Sequence, residues 1–345
     1  MATGRSCNII IRKPMLKLSD FDYNLPKELI AQYPLKTRDA ARLLVLRRND
    51  AGIGHAVFKD LSDYLSAGDL LVLNDTKVLP SRLIGRRKSG GKAEVLLLAQ
   101  KQGLTFEALI KPARLKQGER IIFDSGKISG ELSAKKEITF LAKDIDEIYA
   151  HGLMPLPPYI KRQPQDQDKF DYQTVYAIND GSVASPTAGL HFTQGLLKKI
   201  KSCGINIAYI TLHIGYSTFK PVKAEDITQH KMQPEPFSIP QETIEAIKKT
   251  HKNGRKIIAV GTTSLRALEA YASGAGLQSA TDLFIYPGYE FKLADCLVTN
   301  FHLPRTTLFM LACAFAGEGL LKKSYLEAID KKYRFYSYGD AMLIL

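Results

Sequence analysis

Four times the chain passes from a short apolar run into a dense polar string, and all four strings carry small, hydroxyl-bearing or histidine side chains. Ser185-Pro186-Thr187-Ala188-Gly189-Leu190-His191-Phe192-Thr193 follows Val183-Ala184, and Thr211-Leu212-His213-Ile214-Gly215 follows Ile207-Ala208-Tyr209-Ile210. Gly261-Thr262-Thr263-Ser264-Leu265-Arg266 follows Ile257-Ile258-Ala259-Val260, and Thr299-Asn300-Phe301-His302-Leu303-Pro304-Arg305 follows Cys296-Leu297-Val298. Short β-branched runs read as buried strands. In open α/β sheets ligands sit outside the carboxyl ends of the strands, so the repetition predicts one pocket assembled from several strings.

The surroundings support an α/β fold with a mostly parallel sheet flanked by helices. Residues 194–202 read as a helix closed by Gly204 and followed by a strand over 205–212. Residues 241–253 read as a helix closed by Gly254, then a strand over 256–260 and a helix over 265–273. Leu70-Leu71-Val72-Leu73 reads as a buried strand, 26–33 as a short helix, and Asp282-Leu283-Phe284-Ile285 as a fifth strand. Between residues 76 and 141 the texture changes to six short runs (82–87, 93–99, 104–111, 119–123, 127–132 and 136–141) separated by turn residues. This predicts a small antiparallel six-stranded β-barrel inserted into an α/β domain made of 15–75 and 142–345.

Charge is uneven. The chain carries a net +13, and residues 76–141 alone hold 14 Lys and Arg against 6 Asp and Glu, a net +8. A local excess suits a polyanionic partner. The longest apolar stretch, nine residues from Leu308, falls short of the roughly 20 a membrane helix needs. Residues 1–14 read as a disordered or non-native leader, lacking the apolar length of a secretion signal. Cys7, Cys203, Cys296 and Cys313 show no paired spacing, which points to the cytoplasm and away from disulfides or a zinc or iron–sulfur site.

Gly261-Thr262-Thr263-Ser264, between a strand and a helix, suits either an anion or simple helix capping, with Arg266 one turn further on favouring the anion. His191, His213 and His302 follow three different strands; each alone is more often structural, whereas three at equivalent places favour chemistry in at least one. No His-x-x-x-His or carboxylate pairing accompanies them, so no metal is expected. Tyr286-Pro287-Gly288-Tyr289-Glu290 offers aromatic faces for packing, or for holding a purine or a sulfonium. Nucleotide-binding glycine motifs, the P-loop and the Gly-x-Ser-x-Gly elbow are missing, so dinucleotide oxidoreductases, P-loop NTPases and ordinary serine hydrolases lose support.

The strings themselves carry a resemblance. Leu18-Ser19-Asp20-Phe21-Asp22-Tyr23, Asn74-Asp75-Thr76-Lys77-Val78-Leu79-Pro80-Ser81-Arg82, Gly152-Leu153-Met154-Pro155-Leu156-Pro157-Pro158-Tyr159-Ile160 and Tyr338-Gly339-Asp340-Ala341-Met342, with the strings above, resemble the S-adenosylmethionine:tRNA ribosyltransferase-isomerase family of queuosine biosynthesis across 15–345. Two motifs depart from the family. His-Val-Gly-Leu-Gly-Thr-Phe reads His213-Ile214-Gly215-Tyr216-Ser217-Thr218-Phe219, and His-x-Met-His-x-Glu reads His230-Lys231-Met232-Gln233-Pro234-Glu235, without the inner histidine.

The resemblance implies transfer and isomerisation of the ribosyl group of S-adenosylmethionine onto 7-aminomethyl-7-deazaguanine at the tRNA wobble position, releasing adenine and methionine. S-adenosylmethionine is then a co-substrate and no permanently bound cofactor or protein partner is expected. On this reading His191 or His213 transfers protons, and Thr262, Thr263, Ser264 and Arg266 take the methionine carboxylate. Asn300 and His302 read adenine or ribose, and Tyr286 or Tyr289 faces the sulfonium. Thr187, Gly189, Glu290 and Arg305 complete the substrate site, while Lys77, Arg82, Arg86 and Arg87 contact tRNA phosphates. The competing expectations are another RNA-modifying transferase, such as a methyltransferase, and a non-catalytic tRNA-binding protein.

Overall fold

The computed structural model describes residues 16–216 and 222–345. The leader read at 1–14 and residues 217–219 of the His213 string lie outside the described residues. The strands begin with β1 (Arg42–Arg47), β2 (Gly52–Val57), β3 (Leu70–Asn74) and β4 (Thr76–Val78). Next come β5 (Arg82–Arg87), β6 (Lys92–Gln100), β7 (Thr105–Lys111), β8 (Arg120–Phe123), β9 (Ile128–Ala134) and β10 (Glu137–Leu141). Helices α1 (Ile145–Ala150) and α2 (Asp168–Asp171) lead to β11 (Asn179–Ser182), α3 (Gln194–Ser202), β12 (Asn206–Leu212), β13 (Glu235–Ser238), α4 (Gln241–Lys252) and β14 (Ile257–Val260). The chain ends with α5 (Gly261–Ala272), β15 (Gln278–Thr281), β16 (Cys296–Asn300), α6 (Thr307–Ala316), α7 (Glu318–Asp330) and β17 (Ala341–Ile344).

Nine strands form one mixed sheet in the order β15-β13-β12-β3-β14-β16-β17-β1-β2. Its centre, β12-β3-β14-β16, is parallel throughout, so these four strands deliver their carboxyl ends to the same edge. Away from that centre the pairing is antiparallel, apart from β17 with β1. Side chains alternate between two apolar layers with period two. Leu70 and Val72 of β3 and Ile257 and Ala259 of β14 enter one layer, while Leu71, Leu73, Ile258 and Val260 enter the other. Burial on both faces explains why these strands read as continuous apolar runs.

Between β3 and its parallel neighbour β12 the chain builds the barrel, closed in the order β10-β7-β6-β5-β8-β9 with neighbouring strands antiparallel. Leu83, Val95, Phe106, Ile121, Leu132 and Ile138 fill it. Helix α1 packs on the same core through Ile148. Strand β4 lies outside the barrel, paired with β11.

Three expected elements differ. Residues 26–33 make only a 3-10 turn over Lys27–Leu29, because Ile30 is drawn into a bridge with Phe335. The strand expected at Asp282 to Ile285 is irregular; β15 ends at Thr281, where its ladder with β13 stops. Helix α5 begins at Gly261, four residues before the expected Leu265, directly from the end of β14.

Candidate active site

The early start of α5 shapes the site. Gly261 holds φ +87, a left-handed conformation that strains any residue with a Cβ, and this permits strand and helix to join without a loop. No side chain caps the first turn of α5. Ser264 Oγ instead donates back to the Val260 carbonyl at 2.8 Å, and Thr263 Oγ1 accepts from Asn74 Nδ2 at 3.1 Å. The helix N-terminus, with its partial positive charge, therefore opens into the space beyond the strands.

That space is a crevice with about 700 Å³ of non-atom volume, part of it open to solvent. All four polar strings contribute to it: Ser185, Pro186 and Thr187; Ile214; Gly261, Thr262 and Thr263; and Thr299, Asn300 and His302. Tyr159, Phe301 and Tyr336 add aromatic walls, with Ser337 beside them. Tyr159, Ser185, Thr299, Tyr336 and Ser337 were not singled out as site residues from the sequence. The first three lie in strings quoted above and the last two just precede the Tyr338 string, and only their convergence separates lining positions from packed ones.

The histidines part company. His302 lines the crevice; its Nε2 lies 2.8 Å from Thr299 Oγ1, and its backbone N–H donates to Tyr325 Oη at 2.9 Å. Burial pushes its pKa down to about 3, so it is neutral. His191 is buried behind the wall, at the edge of a separate pocket with Arg38 and Tyr338, and its Nε2 accepts from Asn300 Nδ2 at 3.1 Å. Burial, with minor help from Arg334 and Arg38, lowers its pKa to about 3. With its acceptor nitrogen engaged by Asn300, His191 does not join the residues that line the crevice.

His213 stands apart from the crevice in a second cleft, bounded by Leu97, Glu107 and Lys136 of the barrel and by Asp180, Gly181 and Glu235 of the body. Its Nδ1 lies 2.8 Å from Thr76 Oγ1. The ring rests on Gly181, where an added Cβ would meet it at 2.9 Å. Burial lowers the His213 pKa, while Asp75 and Asp180 act in the opposite direction. Ile214 lines both spaces, so cleft and crevice adjoin at the end of β12.

Several expected ligands are committed elsewhere. Arg266 forms a buried ion pair with Glu235 and donates to the Leu283 and Thr281 carbonyls at 3.0 and 3.2 Å, so each of its three nitrogens already serves a protein oxygen, and it does not line the crevice. Tyr289 Oη donates to Glu269 at 3.3 Å, and Tyr286 packs against Phe284; neither lines the crevice. Glu290 is exposed, Arg305 pairs with Asp22 on the surface at 2.8 Å, and neither lines the crevice. Gly189 serves packing, since an added Cβ would lie 2.1 Å from Tyr176 Oη. Ser264 is buried in α5, with its hydroxyl turned to the backbone. On the basic segment Lys77 pairs with Asp180 at 3.2 Å, Arg82 with Glu94 at 3.1 Å and Arg87 with Glu119. Arg86 is exposed and has no ion pair among the described residues.

Among the described residues no group of three or more His, Cys, Asp or Glu is placed to hold a metal ion, and no helix is long and apolar enough to cross a membrane. A family model described as queuosine biosynthesis protein matches residues 18–344. The chain is 54% identical over 336 residues to the S-adenosylmethionine:tRNA ribosyltransferase-isomerase of Sulfurihydrogenibium sp. (strain YO3AOP1), covering 96% of this chain and 100% of that one. It is 50% identical over 345 residues to the protein of the same name from Halothermothrix orenii, with the same coverage of each. The crystal structure of S-adenosylmethionine tRNA ribosyltransferase from Thermotoga maritima aligns with a TM-score of 0.55 at 38% identity, over 94% of this chain and all of that one. With a match that runs through every strand of the sheet and barrel described here, the chain belongs to the queuosine biosynthesis protein family.

Proposed function

We propose that the protein is an S-adenosylmethionine:tRNA ribosyltransferase-isomerase. In this reading it transfers and isomerises the ribosyl group of S-adenosylmethionine onto 7-aminomethyl-7-deazaguanine at the tRNA wobble position in the cytoplasm. The product is epoxyqueuosine in tRNA, with adenine and methionine released. The observation that carries it is the convergence of all four polar strings on one crevice that adjoins a cleft facing the basic barrel.

In this reading S-adenosylmethionine lies in the crevice. The open N-terminus of α5, with Thr262 and Thr263, holds the methionine carboxylate, an arrangement favoured by the helix dipole. Tyr159 and Tyr336, rather than Tyr286 or Tyr289, offer ring faces to the sulfonium, each worth about 0.5–2 kcal/mol. Thr187, Asn300 and His302 face the adenosyl part.

The sulfonium acidifies the adjacent C5′ protons and departs as the neutral thioether of methionine, carrying the electron pair of its broken bond to C5′. A base takes one C5′ proton, and adenine leaves C1′ with the electron pair of its bond and a proton. The amine of the modified base, losing a proton, bonds to C4′ as the ring oxygen leaves it. C1′ and that oxygen both bond to C5′ in place of the lost proton and the sulfonium, closing the carbocycle and its epoxide. His213 lines the cleft beside Ile214, which lines both spaces, and is the side chain assigned to proton transfer; its Nδ1 contact with Thr76 leaves Nε2 for the reacting partner. The wobble nucleotide enters through the cleft, splayed out of its loop as RNA readers require. Residues 76–141 form the tRNA-facing domain.

The test is chromatographic. Incubation with S-adenosylmethionine and tRNA bearing 7-aminomethyl-7-deazaguanine should release adenine and methionine in equal amounts, and guanine-bearing tRNA should release neither. Methylated RNA, or binding without release, would overturn the reading.

A further inference from the structure

Asn300 is 3% exposed and lines the crevice, yet its side-chain oxygen is buried with no protein partner. Its amide nitrogen is fully used, donating to His191 Nε2 at 3.1 Å and to the Tyr336 carbonyl at 3.1 Å. The Tyr336 carbonyl is an acceptor only, so a flipped amide would set two oxygens against each other. The orientation of Asn300 is therefore decided, and it dictates the state of His191. Nε2 must carry a lone pair and the ring proton must sit on Nδ1. Burial, which keeps His191 neutral, preserves that arrangement. A buried acceptor left unsatisfied is costly, and a native wall that contains one is built for a donor. Ser185, in the same wall, has a buried hydroxyl that likewise lacks a protein partner.

From this geometry we infer that Asn300 reads a single N–H or O–H donor of S-adenosylmethionine through its Oδ1, and that His191 is the positioning residue that holds Asn300 in the accepting sense. The inference rests on the functional reading above, since it takes S-adenosylmethionine as the occupant of the crevice. Three parts of that molecule supply such a donor: the methionine amino group, the ribose hydroxyls and the 6-amino group of adenine.

The experiment is equilibrium dialysis of S-adenosylmethionine against the full-length protein, with guanine-bearing tRNA present so that no turnover occurs. Asn300→Ala should weaken binding about tenfold or more, the size of a lost buried hydrogen bond. Analogues lacking the α-amino group, one ribose hydroxyl or the 6-amino group identify the donor, because for one of them wild type and Asn300→Ala should bind alike. His191→Leu should weaken binding as much as Asn300→Ala, and the double variant should be no worse than either. His191→Gln, whose amide oxygen accepts, should restore it. Ring ¹⁵N NMR of the wild type should show His191 protonated on Nδ1 alone, a readout independent of any variant. Tight binding by wild type and Asn300→Ala alike, additive losses in the double variant, or a proton on Nε2 would overturn this inference alone. No binding by the wild type would overturn the functional reading and the inference together.

Discussion

Arg266 of α5 and Glu235 of β13 form an ion pair whose side chains are only 3% and 2% exposed, and it fastens the helix that opens the crevice to an outer strand of the sheet. Glu235 also accepts from the Gly215 N–H at 2.8 Å, just beyond His213, which follows the end of β12 at Leu212. Breaking a buried pair from one side leaves an uncompensated charge, at about 3–5 kcal/mol. Arg266→Met should therefore lower unfolding free energy by an amount in that range, read from urea denaturation midpoints. A change under about 1 kcal/mol, the range of exposed ion pairs, would show that the pair is not buried in solution.

His213 and Gly181 form a second test. His213→Ala should reduce adenine release by about 10²- to 10⁴-fold, the usual worth of a general acid or base, with S-adenosylmethionine binding intact. Gly181→Ala should copy that loss in part, because its Cβ would displace the ring from its seat. Wild-type turnover in His213→Ala would remove the histidine from proton transfer.

The basic segment makes a graded prediction for tRNA. Arg86 is unpaired among the described residues, whereas Arg82 and Arg87 are partly neutralised by Glu94 and Glu119. Charge reversal at Arg86 should weaken tRNA binding and flatten the dependence of log K on log salt by roughly 0.7–0.9 per lost phosphate contact. Reversal at Arg82 or Arg87 also strands a carboxylate and should cost some folding stability, visible as a lower melting temperature. An unchanged salt slope for Arg86→Glu would place tRNA elsewhere.

Stability should depend on pH through the buried histidines. The unfolded chain protonates them near 6.5, while the folded protein resists until about 3. Their contribution is thus whole above about 6.5 and declines as pH falls toward 3, because unfolding takes up protons in that window. Urea midpoints should fall between pH 7 and pH 4.5, and His302→Gln should fall less steeply than wild type. Equal slopes would mean that His302 titrates normally in the fold.

Much of the architecture was legible because its causes are local. The six barrel strands lie within a residue or two of the alternating runs that announce them, since period-two burial and turn residues act over a few positions. Three of the four apolar runs lie in strands, β12, β14 and β16, whereas Val183-Ala184 lies just past β11 in no strand; helix α3 spans the expected 194–202. The start of α5 was not legible, because a helix joined to a strand through a positive-φ glycine lacks the capping signal that marks ordinary starts.

By itself the sequence determined the period-two barrel, the parallel centre of the sheet, the family, and the four strings that would meet. Which side chains in those strings face the crevice was decided only in three dimensions. Arg266 looked like an anion ligand until Glu235, 31 residues away, claimed it. His191 lies behind the crevice wall, where Asn300, 109 residues on, engages its Nε2. A hydrogen bond or ion pair has one geometry and consumes the group that makes it. Whether a polar side chain remains for a ligand thus depends on neighbours that only the folded chain brings within reach.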